Sequence, residues 1–168
     1  MKKFWNVQSK VLRLVLLAMF TAAIAVATAY VSIPTGMGGY IHIGDGIIFM
    51  GAMLLGPAGA IAAGVGSALA DILCAYAVFA PGSFVVKAVM GVIVGIFYRR
   101  KDGIASAIIN IVLFIVTEMV MIIGYFGYEC ILWDFNAALA EIPANAVQAC
   151  AGIIIGAVSA PLVKKIKL

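Results

Sequence analysis

Long apolar runs, broken by short Gly-, Pro- or charge-bearing segments, make up nearly all of this chain. Runs of this length read as membrane-spanning helices, and Gly and Pro punctuate them. The pattern predicts spans at about 11–33, 41–55, 57–75, 84–98, 104–125 and 136–163. Pro34–Gly39 forms a flexible break after the first span. The stretch 41–75 could pass for one long helix, but Gly56-Pro57 divides it, because proline removes a helix donor and restricts the residue before it. Parity agrees, since the basic N-terminus and Arg99–Lys101 share a side only if an even number of spans separates them. Ile41–Leu55 is then about 22 Å long. That is shorter than a bilayer core of roughly 30 Å, so its outer end begins below the surface. The fold class is all-α, a polytopic membrane protein of six transmembrane helices with both termini cytoplasmic, residues 1–168 forming one membrane domain.

Composition narrows the class. The chain is 65% apolar and 11% charged, with a mean hydropathy of +1.20. A soluble domain of this size could not hide so much apolar surface, and neither a disordered tail nor a disulfide-framed module fits. The net charge of +4 does not indicate a nucleic-acid binder, which gathers its basic residues on one face. Here they form short clusters between apolar runs: Lys2, Lys3, Lys10 and Arg13, then Arg99, Arg100 and Lys101, then Lys164, Lys165 and Lys167. The positive-inside rule places all of these in the cytoplasm, and Lys87 is the exception. Trp5 and Trp133 fall at opposite interfaces. The apolar part of the N-terminus is too long for a typical signal peptide, so it is read as a retained helix.

Ionisable groups within spans are costly and mark function by default. Asp45, Asp71, Lys87, Glu118 and Glu141 all fall in the outer halves of their spans. A proton path would need polar groups at successive depths, so this distribution suggests a polar cavity open to the outside and closed below. On the last span Glu141, Asn145, Gln148, Gly152, Gly156 and Ser159 share one helical face. Its outer half suits ligand contacts and its inner half suits close packing, although Asn145 and Gln148 could equally bond neighbouring helices. Lys87 can pair with an acid or contact a ligand; four carboxylates and one lysine cannot all pair internally. His42 lies between a flexible loop and Asp45, and reads as structural or as a ligand contact. Tyr40, Tyr128 and Trp133 are candidate aromatic walls or interfacial belt residues.

The first span differs. Ala18, Ala22, Ala25 and Ala29 give small-xxx-small spacing that lets another helix approach closely. Cys74, Cys130 and Cys150 show no metal spacing. They read as small packing residues, though Cys74 and Cys130 are both near the outer face and could pair. The chain carries no phosphate-loop, zinc-protease or nucleophile-elbow motif, so no catalytic residue and no metal is expected.

Tyr30–Gly36, His42-Ile-Gly-Asp-Gly46, Leu54-Leu-Gly-Pro-Ala-Gly59, Gly64–Asp71 and Val85-Val-Lys-Ala-Val-Met-Gly91 together resemble the substrate-binding S component of energy-coupling factor (ECF) vitamin transporters. The riboflavin-type and hydroxymethylpyrimidine/pyridoxine-type groups are the nearest. The resemblance is carried by the first four spans, with the last two matching in general pattern. It implies a multi-pass protein of a bacterial plasma membrane that captures a water-soluble vitamin or precursor from outside. It implies partners as well: a transmembrane T component and two ATPase subunits, which use ATP, while this chain holds no cofactor. The alanine-rich first helix would dock on the T component through Ala18, Ala22, Ala25 and Ala29, and the loop Pro34–His42 would gate the site. The substrate-binding candidates are Tyr40, His42, Asp45, Asp71, Lys87, Glu118, Trp133, Glu141, Asn145 and Gln148. The competing reading is a standalone secondary transporter or channel for a small polar molecule. The absence of inner-half charges and of a recognisable repeat counts against it.

Overall fold

Helices fill the chain between its breaks. A computed structural model of the chain describes residues 10–35 and 38–166. The expectations for Lys2, Lys3, Trp5, Gly36, Met37 and Lys167 lie outside these residues. Among the described residues there are six α-helices: α1 (Lys10–Tyr30), α2 (Gly44–Leu55), α3 (Gly59–Leu73), α4 (Ala80–Phe97), α5 (Ile104–Leu132) and α6 (Phe135–Lys165). Two residue pairs, β1 (Ile33–Pro34) and β2 (Tyr40–Ile41), form a small antiparallel hairpin with Ile33 opposite Ile41 and Pro34 opposite Tyr40. The protein is an all-α polytopic membrane protein. Among the described residues, five helical stretches are long and apolar enough to cross a bilayer, the stretch Gly44–Leu73 being counted as one.

That stretch is folded back on itself. A single 3₁₀ turn, Gly56–Ala58, separates α2 from α3, and Gly56 has φ 62°, a conformation that costs a side-chain-bearing residue strain. The Tyr40 hydroxyl, just before α2, donates to Asp71 Oδ1, near the end of α3, at 2.6 Å. A straight helix over this length would hold those residues more than about 40 Å apart at about 1.5 Å per residue. The two arms close tightly because a Cβ on Gly59 would lie 2.7 Å from Ala52 Cα.

Helix α2 is the centre of the bundle, with all but Ile47 and Met50 buried. It contacts α1, α3, α4 and α6; α3 packs on α1 and α4, and α5 on α4 and α6. Phe49 of α2 stacks on Phe114 of α5 with ring centroids 4.8 Å apart. This apolar core, which includes Met53, Leu55, Met90, Val94 and Val163, closes the lower part of the bundle. At that end the Arg100 guanidinium donates to the Val163 and Ile166 carbonyls at 2.7 and 2.9 Å, and Lys164 lies 3.7 Å from Asp102. The turn after α4 and the end of α6 therefore share one end. The end of α1 and the end of α3 share the other, where the Cys74 thiol approaches the Ala29 carbonyl at 3.9 Å.

Several expectations are corrected. Helix α5 runs through Leu132, so Glu129 and Cys130 are helical and the expected loop 126–135 shrinks to Trp133–Asp134. Gly127 does not break it, since an isolated glycine costs only about 1 kcal/mol in a helix. Asp134 then caps α6, accepting from the Asn136 and Ala137 amides at 2.7 and 3.0 Å. Helix α4 begins at Ala80, with Pro81 in its first turn, where the missing N–H is harmless. All three cysteines are free, so Cys74 and Cys130 do not pair. Along α1, Ala18 and Ala22 are exposed, Ala29 is half-buried and Ala25 is buried. Ala25 belongs to the inward face with Ile24 and Thr28, and the exposed row continues from Ala22 to Val26.

The α3–α4 seam depends on glycine, because a Cβ on Gly91 would lie 2.7 Å from Ala60 Cα. Gly91→Val is expected to destabilise the protein by roughly 1–3 kcal/mol through overpacking. Gly127→Ala, where a Cβ meets nothing within 4 Å, is expected to leave stability unchanged or raise it by up to about 1 kcal/mol. Thermal unfolding of both variants in detergent checks the contrast.

Candidate functional site

The polar side chains expected in the outer halves of the spans do converge, and they do so in two layers. The upper layer surrounds a cavity lined by Gly39, Tyr40, His42, Asp71, Phe79, Ser83, Tyr125, Glu129, Glu141, Asn145 and Gln148. The volume of this cavity is about 30 Å³. A typical small-ligand pocket spans roughly 300–1,000 Å³, so the cavity is closed down. The closing element is the hairpin after α1. Thr35 Oγ1 donates to Glu141 Oε1 at 2.6 Å, and Gly39 lies against the same carboxylate, its Cβ position 3.4 Å from Glu141 Cδ. Trp133, half-exposed, covers Gly38 from above.

The Tyr40 ring packs 4.7 Å from Tyr76 and 5.5 Å from His42, centroid to centroid. His42 lies between β2 and α2, where burial lowers its pKa from 6.5 to about 4. Its ring is therefore neutral near pH 7, and Nδ1 accepts from the Gly44 amide at 3.1 Å. The Ser83 and Tyr125 hydroxyls bond each other at 2.8 Å.

The lower layer is an ion pair within the bundle. Lys87 Nζ on α4 donates to Asp45 Oδ1 on α2 at 2.6 Å, and both side chains are wholly buried. The ammonium lies 5.1 Å from the centroid of the Tyr125 ring. Gln148 on α6 joins the layers: Nε2 donates to Asp45 Oδ2 at 2.7 Å, and Oε1 accepts from the His42 amide at 3.3 Å. Glu118 is buried beside this group, seated against Gly152, where a Cβ would collide with its Oε1, and neither carboxyl oxygen has a hydrogen-bond partner.

Of the sequence candidates, Tyr40, His42, Asp71, Glu141, Asn145 and Gln148 line the cavity. Asp45, Lys87 and Glu118 form its floor, and Trp133 sits in the cover. Spacing on the last span finds Glu141, Asn145 and Gln148 because they share a face. Ser83, Tyr125 and Glu129 escape the sequence reading. Glu118, Met121, Tyr125 and Glu129 do share one buried face of α5, a stripe visible only if the helix is carried past Tyr125.

The sequence pattern of the family described as "ECF-type riboflavin transporter, S component" matches residues 8–167. The chain belongs to this family. It is a substrate-binding S component, an integral multi-pass protein of the cell membrane that binds a vitamin ligand and associates with a T component and ATPase subunits. Among curated proteins, an uncharacterized protein of Pyrococcus woesei is 38% identical over 145 residues, covering 85% of this chain and 95% of the relative.

Removing one partner of a buried pair leaves a lone buried charge, at a cost of roughly 3–5 kcal/mol. Lys87→Met is expected to lower stability by that amount, and Asp45→Asn in the same chain to restore most of it. Thermal unfolding in detergent reads the comparison. Equal loss in the single and double variants would show that the pair is not what holds α2 to α4.

Proposed function

We propose that the closed cavity is the vitamin site, taking a water-soluble vitamin or precursor of the riboflavin, pyridoxine or hydroxymethylpyrimidine kind from outside for ATP-driven import by the partner subunits. The observation that carries this reading is the placement of polarity. A buried polar cavity lies at one end of the bundle under a short hairpin, and an apolar core seals the other end. A channel would need polar lining through the whole thickness.

The same reading orders the membrane topology. Six passes, with α2 and α3 as a short antiparallel pair, put both termini and the Arg99–Lys101 turn on the cytoplasmic side by the positive-inside rule. The cavity then opens outward. Its residual volume admits no vitamin-sized ring, so the segment Pro34–His42 lifts for entry and closes afterwards through Thr35 and Glu141. Tyr40, His42, Asp71, Glu141, Asn145 and Gln148 contact ligand. Asp45, Lys87 and Glu118 hold the floor on which it rests, and Trp133 steadies the cover. No residue of the site has a catalytic role, and the only ATP consumed is that used by the partner ATPases. Ala18 and Ala22 on α1 are the surface for the T component, supported by their exposure beside Val15, Met19 and Val26.

Two variants separate these roles. Asn145→Ala removes a cavity wall and is expected to weaken ligand binding about tenfold or more, as for loss of one buried hydrogen bond, with folding retained. Ala22→Leu is expected to impair assembly with the T component and ATPase subunits while leaving ligand binding unchanged. Binding by the purified chain and pull-down of co-expressed subunits measure the two. Uptake that persists without those subunits and follows an ion gradient would sink the proposal.

A further inference from the structure

A second cavity, of about 210 Å³, lies between α5 and α6 at the end of the bundle away from the hairpin. Ala107, Ile111 and Phe114 of α5 form one wall, and Ala157, Pro161 and Lys164 of α6 form the other. Helix α5 begins at this end and α6 finishes there, so Ala107 and Lys164 stand at the mouth. Phe114 and Ala157 lie roughly 10 Å deeper, where a Cβ on Gly156 would lie 3.3 Å from the Phe114 ring. Small side chains open the groove: alanine on both walls, and Pro161, which also removes the helical bond to the Ala157 carbonyl. Its polar lining is slight. Asn110 is spent on the Arg99 backbone, accepting from the amide and donating to the carbonyl at 2.9 Å each. Lys164 is the cation at the mouth. Its Nζ lies 3.7 Å from Asp102, whose side chain is 96% exposed, and a pair this open to water holds a lysine weakly. Arg99, Lys101 and Lys165, all exposed, add positive charge at the same end.

We infer that this groove binds one anionic phospholipid: an acyl chain lies between α5 and α6 toward Phe114, and the headgroup phosphate meets Lys164. Exposed Ile108 and Val112 on α5 and Val158 and Leu162 on α6 flank the walls, so the groove opens on a face that meets bilayer hydrocarbon. An apolar cavity of roughly 150 Å³ already takes up a benzene-sized group, and this one takes a length of acyl chain. A transmembrane helix, about 10–12 Å across, is too thick to enter it. The charge pattern matches the lipid end to end, with the cation at the rim and the apolar walls within. Basic pockets between transmembrane helices hold anionic headgroups in this manner. The inference is independent of the vitamin-site reading, because the groove shares no lining residue with the cavity under the hairpin.

The test is native mass spectrometry of the purified full chain in detergent, titrated with phosphatidylglycerol and with phosphatidylcholine of the same acyl chains. The chain is expected to retain one phosphatidylglycerol about fivefold more readily than phosphatidylcholine, the advantage of one lysine near an anionic lipid. Lys164→Ala is expected to bring that ratio close to one. Lys165→Ala, next in sequence but outside the groove, is expected to leave most of it. Ala157→Leu and Ala107→Leu narrow the groove, and each is expected to lower retention of both lipids several-fold without altering the ratio, with thermal unfolding confirming that the variants fold. Excess glycerol 3-phosphate, a headgroup without a chain, is expected not to compete. No preference for phosphatidylglycerol, equal loss of preference in the two lysine variants, unchanged retention in both leucine variants, or competition by glycerol 3-phosphate would overturn the inference. Leucine variants that keep the lipid but lose co-purification with the T component and ATPase subunits would overturn it as well, since the groove would then seat a protein.

Discussion

The Lys87–Asp45 pair is the constraint around which the upper bundle is arranged. Taking an ammonium and a carboxylate out of water costs several kcal/mol each, and their attraction offsets this only when geometry is good and remaining groups are satisfied. The geometry is close, and both oxygens of the carboxylate are met. Asp45 Oδ1 meets Lys87, and Asp45 Oδ2 meets Gln148, so one carboxylate ties α2 to α4 and α6. Gln148 in turn holds the His42 amide, which fixes where the chain enters α2 beneath the hairpin. The pair therefore sets the cavity floor and holds the lysine below the cavity, whose lining contains no lysine or arginine.

That arrangement requires helices close enough for short side chains to meet. In a membrane the approach comes from small residues rather than from exclusion of water. Gly59 against Ala52 closes the α2–α3 pair, and Gly91 against Ala60 closes α3 on α4. Because α2 has only 12 residues and α3 only 15, each about 18–23 Å long, the pair does not reach across a bilayer core at full height. The space left above α2 is where the hairpin and the cavity sit. Short helices and a polar chamber are thus one feature seen from two sides.

The six helices, the division at Gly56-Pro57 and the polar face of the last helix are legible in the sequence, since each rests on a local rule of period or punctuation. Glu141, Asn145 and Gln148 follow from spacing on a single helix. The partner of Lys87 does not, because any of several acids at similar depth would serve and only packing chooses Asp45. Glu129 is hidden by a glycine-bearing, aromatic stretch, 126–132, that resembles a loop but continues α5. The inward turn of Ala25 is also hidden: alanine is small enough for either face, and the rotation of α1 is set by Ile24 meeting α3 and Thr28 meeting the start of α2, as where Gly66 lies against the Thr21 carbonyl and Ile24 and Gly44 lies against Thr28. What a single helix dictates can be read from sequence; what depends on which neighbour it meets cannot.

The cover of the cavity and the exposed face of α1 belong to one stretch of chain. Helix α1 ends at Tyr30, the hairpin begins at Ile33, and Thr35 reaches Glu141 within five residues of the helix end. A strand this short cannot absorb a large displacement of α1 without moving Thr35, because each extended residue spans only about 3.3–3.6 Å. Likewise, any displacement of the hairpin from Glu141 acts on the end of α1, where Ala29 meets Cys74 and Thr28 lies against Gly44 at the entry to α2. The exposed Ala18–Ala22 face of α1 is thereby joined, through a few residues of backbone, to the hairpin over the cavity. A longer or freer linker would permit either event without the other. Its brevity makes the position of the hairpin over the cavity and the position of α1 mutually dependent.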